Sequence, residues 1–222
     1  MDKLMAAFEI CIDSSGEGAP TLADRQRGST WITTYFGCAN YPELYRSLFA
    51  KYGWSKIFVL IGLQAVVPRY RLCSVLFVKY MRQNPWIQLY VNEITPEKPN
   101  HDEVLRLFNS SSRVLLYFGI NSDLRQLLIR ASALNMTDGQ YVYFTLEPIR
   151  DTSVYGYLSW NYNLSDDTVA MTAFKSLLIL EPKPPPASAL QRGVEVAQRS
   201  RQRMGISKPV LVKEIVRASF VL

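Results

Sequence analysis

From residue 40 onward the hydrophobic period of the sequence changes again and again, and this alternation constrains the fold more than any other feature. Lys56–Leu63 (KIFVLIGL) and Arg113–Ile120 (RVLLYFGI) are apolar at nearly every position. A strand with one wet face would alternate, so runs like these predict strands covered on both sides. Trp86–Ile94 and Tyr141–Leu146 read as two further strands. Between the runs lie segments with apolar residues at helical spacing. One opens at Asn40-Tyr-Pro-Glu and ends at Gly53; others span Pro68 to about Asn84, the stretch from His101, and Ser122–Leu134. Asp166–Leu180 reads as a fifth helix, with Ala170, Phe174, Leu177 and Leu178 on one face, stopped by Glu181-Pro-Lys-Pro-Pro-Pro. Strands alternating with helices predict an α/β fold: a mostly parallel sheet with helices on both faces.

Charge narrows the function. The net charge of +6 resides in the tail, where Lys183 to Leu222 holds eight basic residues against two acidic ones. Residues 1–182 are balanced, so a body-wide nucleic-acid footprint is not expected. Basic residues interspersed with apolar ones in the tail read as a solvated helix face. The expected organisation is a poorly defined segment over 1–17, an α/β lobe over 18–182, and a Pro-rich break with a basic segment over 183–222. Neither a secretion leader nor a stretch of about 20 apolar residues is legible in the sequence.

Catalytic patterns are scarce. A single histidine, His101, excludes any site needing two imidazoles, and its place in a helix's first turn reads as solvated. No phosphate loop, nucleophile elbow or dinucleotide fingerprint is present. Asp166-Asp167 reads as capping at a helix start. Cys11, Cys38 and Cys73 show no metal-ligand spacing; Cys73 reads as a small buried hydrophobe, and Cys11 with Cys38 is a pairing the sequence leaves open. Expected, then, are no catalytic residues, no metal, no cofactor and no enzyme activity.

Three Asn-x-Ser/Thr triplets begin at Asn109, Asn135 and Asn163, where about one would arise by chance among nine asparagines. Their density predicts glycosylation and an origin outside the cytosol. In an open parallel sheet, ligands approach the carboxyl ends of the strands. Those ends place Gln64, Asn121 and Glu147 near a cleft, together with Gly62 and Gly119. Turn chemistry is the competing explanation: backbone freedom for the glycines, helix capping for Asn121. Trp31 and Tyr35, in the non-periodic stretch before the first helix, are further candidates for ligand contact, with core packing as the alternative.

Several words of the sequence resemble a known family. Pro20-Thr-Leu-Ala-Asp-Arg, Thr30-Trp-Ile-Thr-Thr, Leu44-Tyr-Arg-Ser-Leu-Phe-Ala-Lys-Tyr-Gly-Trp54 with the strand Lys56-Ile-Phe-Val-Leu, and the late helix from Asp166 look like the receptor family ligand-binding region. This is the type I periplasmic-binding-protein-like extracellular domain of natriuretic-peptide-type receptors and receptor guanylyl cyclases, the nematode cyclases in particular. The resemblance spans residues 18–222 and implies two α/β lobes with ligand held between them or at a dimer face. Two lobes need roughly 350 residues, so the chain is expected to be one lobe of a truncated product or fragment. The implied partners are a small-molecule or peptide ligand and a second copy of the chain. The membrane enters only through receptor parts lying outside this sequence, with the lobe on the extracellular side. The competing reading is a stand-alone cytosolic, flavodoxin-like protein that binds a small molecule.

Overall fold

Helix stops and apolar runs fall where local chemistry requires them. We describe a computed structural model over residues 12–14, 31–33, 38, 40–63, 68–95, 99–147, 152, 156–181 and 186–205. The chain divides into two units, Cys38–Leu180 and the flanks Met1–Gly37 with Glu181–Leu222. In the flanking unit, β1 (Ile12–Ser14) pairs in parallel with β2 (Trp31–Thr33).

Within Cys38–Leu180, helix α1 (Tyr41–Tyr52) ends at Gly53, whose φ of 68° is left-handed. The Trp54 N–H reaches the Phe49 carbonyl at 2.9 Å and the Gly53 N–H reaches that of Ala50 at 3.3 Å. This paired closure satisfies the last carbonyls of the helix and launches strand β3 (Lys56–Gly62). There follow α2 (Pro68–Met81), β4 (Gln88–Ile94), α3 (His101–Ser111), β5 (Val114–Phe118), α4 (Asn121–Ala133), β6 (Val142–Leu146), α5 (Asp167–Ala173) and β7 (Leu177–Leu180). All five strands are parallel, in the order β4-β3-β5-β6-β7.

The two cores explain the unbroken apolar runs. Ile57, Val59 and Ile61 of β3 pack with Val114, Leu116 and Phe118 of β5 against Tyr45, Phe49, Phe77 and Met81 of α1 and α2. The intervening Phe58, Leu60, Leu115 and Tyr117 face Leu105, Phe108, Leu124 and Leu128 of α3 and α4. With both faces dry, polar alternation would bury unpaired groups, so the sequence avoids it.

Three expectations are corrected. Asp166–Leu180 is not one helix: α5 lasts seven residues, Phe174–Ser176 forms a 3-10 turn, and Leu177–Leu180 is the edge strand β7. The open edge of β6 offers backbone partners to Leu177–Leu180, and that pairing overrides the helical spacing. Cys73 is buried but also disulfide-bonded to Cys38, with Cα atoms 4.8 Å apart. Both are brought together by the packing of α2 against the segment entering α1, a contact that spacing in sequence does not reveal. Cys11 lies outside the described residues. Finally, Asp166 occupies the N-cap of α5 without a side-chain capping bond, because its carboxylate is engaged elsewhere.

In the flanking unit, α6 (Ala187–Arg203) carries Arg192, Arg199 and Arg203 exposed, which is the solvated basic helix face expected of the tail.

Candidate functional site

The strand order fixes where a ligand would sit. From β3 the chain moves outward through α2 to β4, then returns through α3 to β5 on the other side of β3. Connections therefore leave the carboxyl ends of β3 and β5 toward opposite faces, and in open α/β sheets such a switch point is where ligands bind. Gly62 closes β3 and Gly119 follows β5.

Neither glycine is explained by left-handed backbone. Added Cβ atoms decide the matter instead: at Gly119 one would stand 2.3 Å from the Tyr117 hydroxyl, and at Gly62 one would stand 3.2 Å from both that hydroxyl and the Gly119 Cα. The glycines leave space for the Tyr117 ring, which lies along the strand ends. Backbone freedom, the explanation weighed from sequence, is replaced by side-chain clearance.

The Tyr117 hydroxyl is buried without a hydrogen-bond partner among the described residues, and so is Thr145 Oγ1 on the neighbouring strand, where Tyr117 and Thr145 are register partners. Burial, with the Asp123 charge adding to it, holds the Tyr117 phenol protonated well above its ordinary range. Tyr117 lines a cavity of about 10 Å³ with Leu60, Ile94, Thr95, His101 and Asp123. That volume admits about one water.

His101 is half-buried on this cavity rather than solvated, which corrects the reading from sequence. Burial lowers its pKa, opposed by the carboxylates of Asp123 and Asp102. A phenol, an imidazole and a carboxylate thus converge under the carboxyl ends of β3, β4 and β5. Hydroxyl donor, ring nitrogens and carboxylate acceptor suit hydrogen bonding to a polar ligand group, and among the described residues lining this cavity there is no serine or cysteine. Among the described residues no cluster of His, Cys, Asp and Glu is placed to hold a metal ion.

Of the residues singled out from sequence, Asn121 and Glu147 belong to this edge. Asn121 opens α4 and is 2% exposed. It does not cap the helix, since Ile120 holds that position; its Nδ2 donates instead to the Gly156 carbonyl at 3.2 Å. Glu147 follows β6, half-buried, with its N–H on the Leu180 carbonyl at 2.9 Å. Gln64 and Tyr35 lie outside the described residues, and Trp31 is described only as a backbone position of β2 in the flanking unit.

A second polar group sits beside the edge and was not foreseen. Arg125 of α4 is fully buried, yet its guanidinium bonds Asp166 at 2.7 Å, Asp167 at 2.6 Å and the Trp160 carbonyl at 3.1 Å. It also lies 4.8 Å from the Tyr162 ring centre. These bonds hold segment 156–167 against α4, and Gly156 with its φ of 77° then lies over the first amides of that helix. The signal was present: a charged residue in the apolar stripe of Leu124, Leu128 and Ala131, with an adjacent carboxylate pair later in the chain.

The model for the family described as receptor family ligand-binding region matches residues 1–212. The chain belongs to that family. No curated protein matches it. The parallel, doubly covered lobe is the architecture of a receptor family ligand-binding region, and such a region is a non-catalytic module that binds a ligand. Among the described residues no helix is long and apolar enough to cross a membrane. The three triplet asparagines are all exposed: Asn109 on α3, Asn135 just past α4, and Asn163 before α5.

Proposed function

We propose that this receptor family ligand-binding region recognises a small-molecule or peptide ligand at the carboxyl edge of its sheet, outside the cell, without turnover. The observation that carries this reading is the switch point at the carboxyl ends of β3 and β5, beneath which Tyr117, His101 and Asp123 line a cavity the size of one water, so a ligand would lie over that cavity and reach its polar groups directly or through the water. A buried polar group without a partner costs about 1–3 kcal/mol, and a ligand or water that satisfies it recovers part of that cost. Asn121 and Glu147 flank the edge, and Gln64 is proposed as a further contact there; Trp31 and Tyr35, of the flanking unit, are proposed as ligand contacts in their own right. Binding acts by shifting an open–closed or dimer equilibrium.

The placement outside the cell is supported by the Cys38–Cys73 disulfide, which belongs in an oxidising compartment, and by the exposed triplets. The same disulfide argues against the cytosolic flavodoxin-like alternative, although the strand order suits both. Resemblance to receptor guanylyl cyclases supports a parent receptor of that kind.

Thermal shift against panels of small polar metabolites and peptides tests the site. A ligand should raise the unfolding midpoint of the wild-type chain and fail to do so in Thr95→Trp, which sets a bulky ring at an exposed residue lining that cavity. A ligand that stabilises both equally places the site elsewhere and overturns the reading. Placement is tested separately, by labelling intact cells bearing the parent receptor with an impermeant amine reagent: lysines of this lobe should react.

A further inference from the structure

The backbone separates the three Asn-x-Ser/Thr triplets into two kinds. Asn135 has φ 55° and Asn163 has φ 57°, both in turns outside helices, with exposed side chains. Asparagine tolerates this left-handed backbone better than most residues. Neither side-chain amide has a hydrogen-bond partner among the described residues.

Asn109 is built differently. It lies inside α3, where residues two apart do not face each other, so its amide and the Ser111 hydroxyl point to different sides. Glycan transfer needs those two groups together. The Ser111 hydroxyl donates back to the Leu107 carbonyl at 2.7 Å. Asn109 Oδ1 accepts the Tyr141 hydroxyl at 2.5 Å, and Arg113, 4.9 Å over the Tyr141 ring, donates to the Asn109 carbonyl at 2.5 Å. Asn109 thereby fastens the end of α3 to the entry of β6.

We propose that Asn135 and Asn163 are N-glycan attachment sites, and that Asn109 is a structural tie that stays unmodified. The proposal rests on the extracellular reading above. In the transfer, each Nδ2 attacks C1 of a polyprenyl-diphosphate-linked oligosaccharide. The N–C1 bond forms and the C1–O bond to diphosphate breaks. Diphosphate leaves with the bonding pair, and one amide proton passes to a base of the transferase. The glycans would stand beside Leu134 and Leu164, which are exposed in the bare chain, and give those apolar side chains a hydrated cover.

The test secretes the full chain from a eukaryotic host behind a cleavable leader, with one control triplet added in a C-terminal tag. Enzymatic deglycosylation in heavy-oxygen water marks each used asparagine as heavy aspartate for peptide mass spectrometry. The control, Asn135 and Asn163 should be marked and Asn109 unmarked. Asn135→Gln and Asn163→Gln should each remove one glycan step on a gel and leave the unfolding midpoint in place. Asn109→Ala should leave the glycan pattern intact and lower the midpoint by about 3 °C. A marked control beside unmarked Asn135 and Asn163 overturns the proposal, and so does a marked Asn109. The leader forces entry to the secretory route, so such a failure leaves the extracellular reading standing; surface labelling of the parent receptor tests that reading alone.

Discussion

Tyr117 sets the constraints at the carboxyl edge, and two residues around it can be read by substitution. Gly119→Ala puts a methyl group 2.3 Å from a hydroxyl belonging to a ring only 1% exposed, with no solvent to retreat into. Overpacking of that kind costs about 1–3 kcal/mol, and urea unfolding of Gly119→Ala should show a loss in that range. Gly62→Ala, at 3.2 Å from the same hydroxyl, should lose less. Tyr117→Phe should move the other way. Removing a buried hydroxyl without a partner leaves stability unchanged or raises it by about 1 kcal/mol, while a ligand held by that hydroxyl binds more weakly. A variant that gains stability and loses affinity is what a site residue gives and a packing residue does not. Equal losses in both would show that Tyr117 is there for packing alone.

At the scale of elements, the Arg125 cluster holds α5 and segment 156–167 to α4. Arg125 lowers the pKa of Asp166, chiefly through its direct hydrogen bond. For Asp167 burial pushes upward, but the N–H groups of Tyr162 and Leu164, with Arg125, outweigh it and the net direction is down. A carboxylate depressed in the folded state contributes stability above its unfolded pKa, near 3.9, and loses it as pH falls through the folded value. Stability should therefore be flat near neutrality and fall below about pH 4; in Asp166→Asn that acid limb should shrink, as followed by unfolding at pH 7 and pH 3. Arg125→Ala should cost about 2 kcal/mol at neutral pH, below the range for fully buried pairs because solvent still reaches the carboxylates. The same region shows where legibility ended. Runs such as Lys56–Gly62 and Val114–Phe118 announce themselves because burial on both faces leaves no polar position. Leu177–Leu180 does not, because four apolar residues following a helix continue its spacing, and only the open edge of β6 makes them a strand. For the candidate site, the strand ends at Gly62 and Gly119 and the place of Asn121 and Glu147 were legible, since topology alone puts them at the carboxyl edge. The roles of Tyr117 and His101 were not, because they depend on which residues the fold brings to one cavity, and Arg125 showed only as a charge in an apolar stripe, its carboxylate partners lying 41 and 42 residues away.

For the molecule as a whole, the Cys38–Cys73 bond links compartment to stability. It joins the segment entering α1 to the middle of α2 across a sequence separation of 35, so the closed loop contains α1 and all of β3, an interior strand of the sheet. In the chain-entropy account a loop of that length restricts the unfolded ensemble by roughly 4 kcal/mol, a large share of the 5–15 kcal/mol that holds a typical domain together. Both cysteines are buried in the core shared by α1, α2 and the sheet, so the reduced thiols would remain in an apolar setting and the native packing loses little else. Reduction should consequently lower the urea midpoint of the lobe in one cooperative step, with the slope altered because the unfolded chain expands. Cys73→Ser should reproduce the loss and become insensitive to reductant. The consequence for function is directional: in a reducing cytosol the lobe would forfeit that margin permanently, whereas outside the cell it keeps it. If the reduced wild-type chain unfolds at the same urea concentration as the oxidised one, the bond is dispensable and the fold itself gives no preference for either side of the membrane.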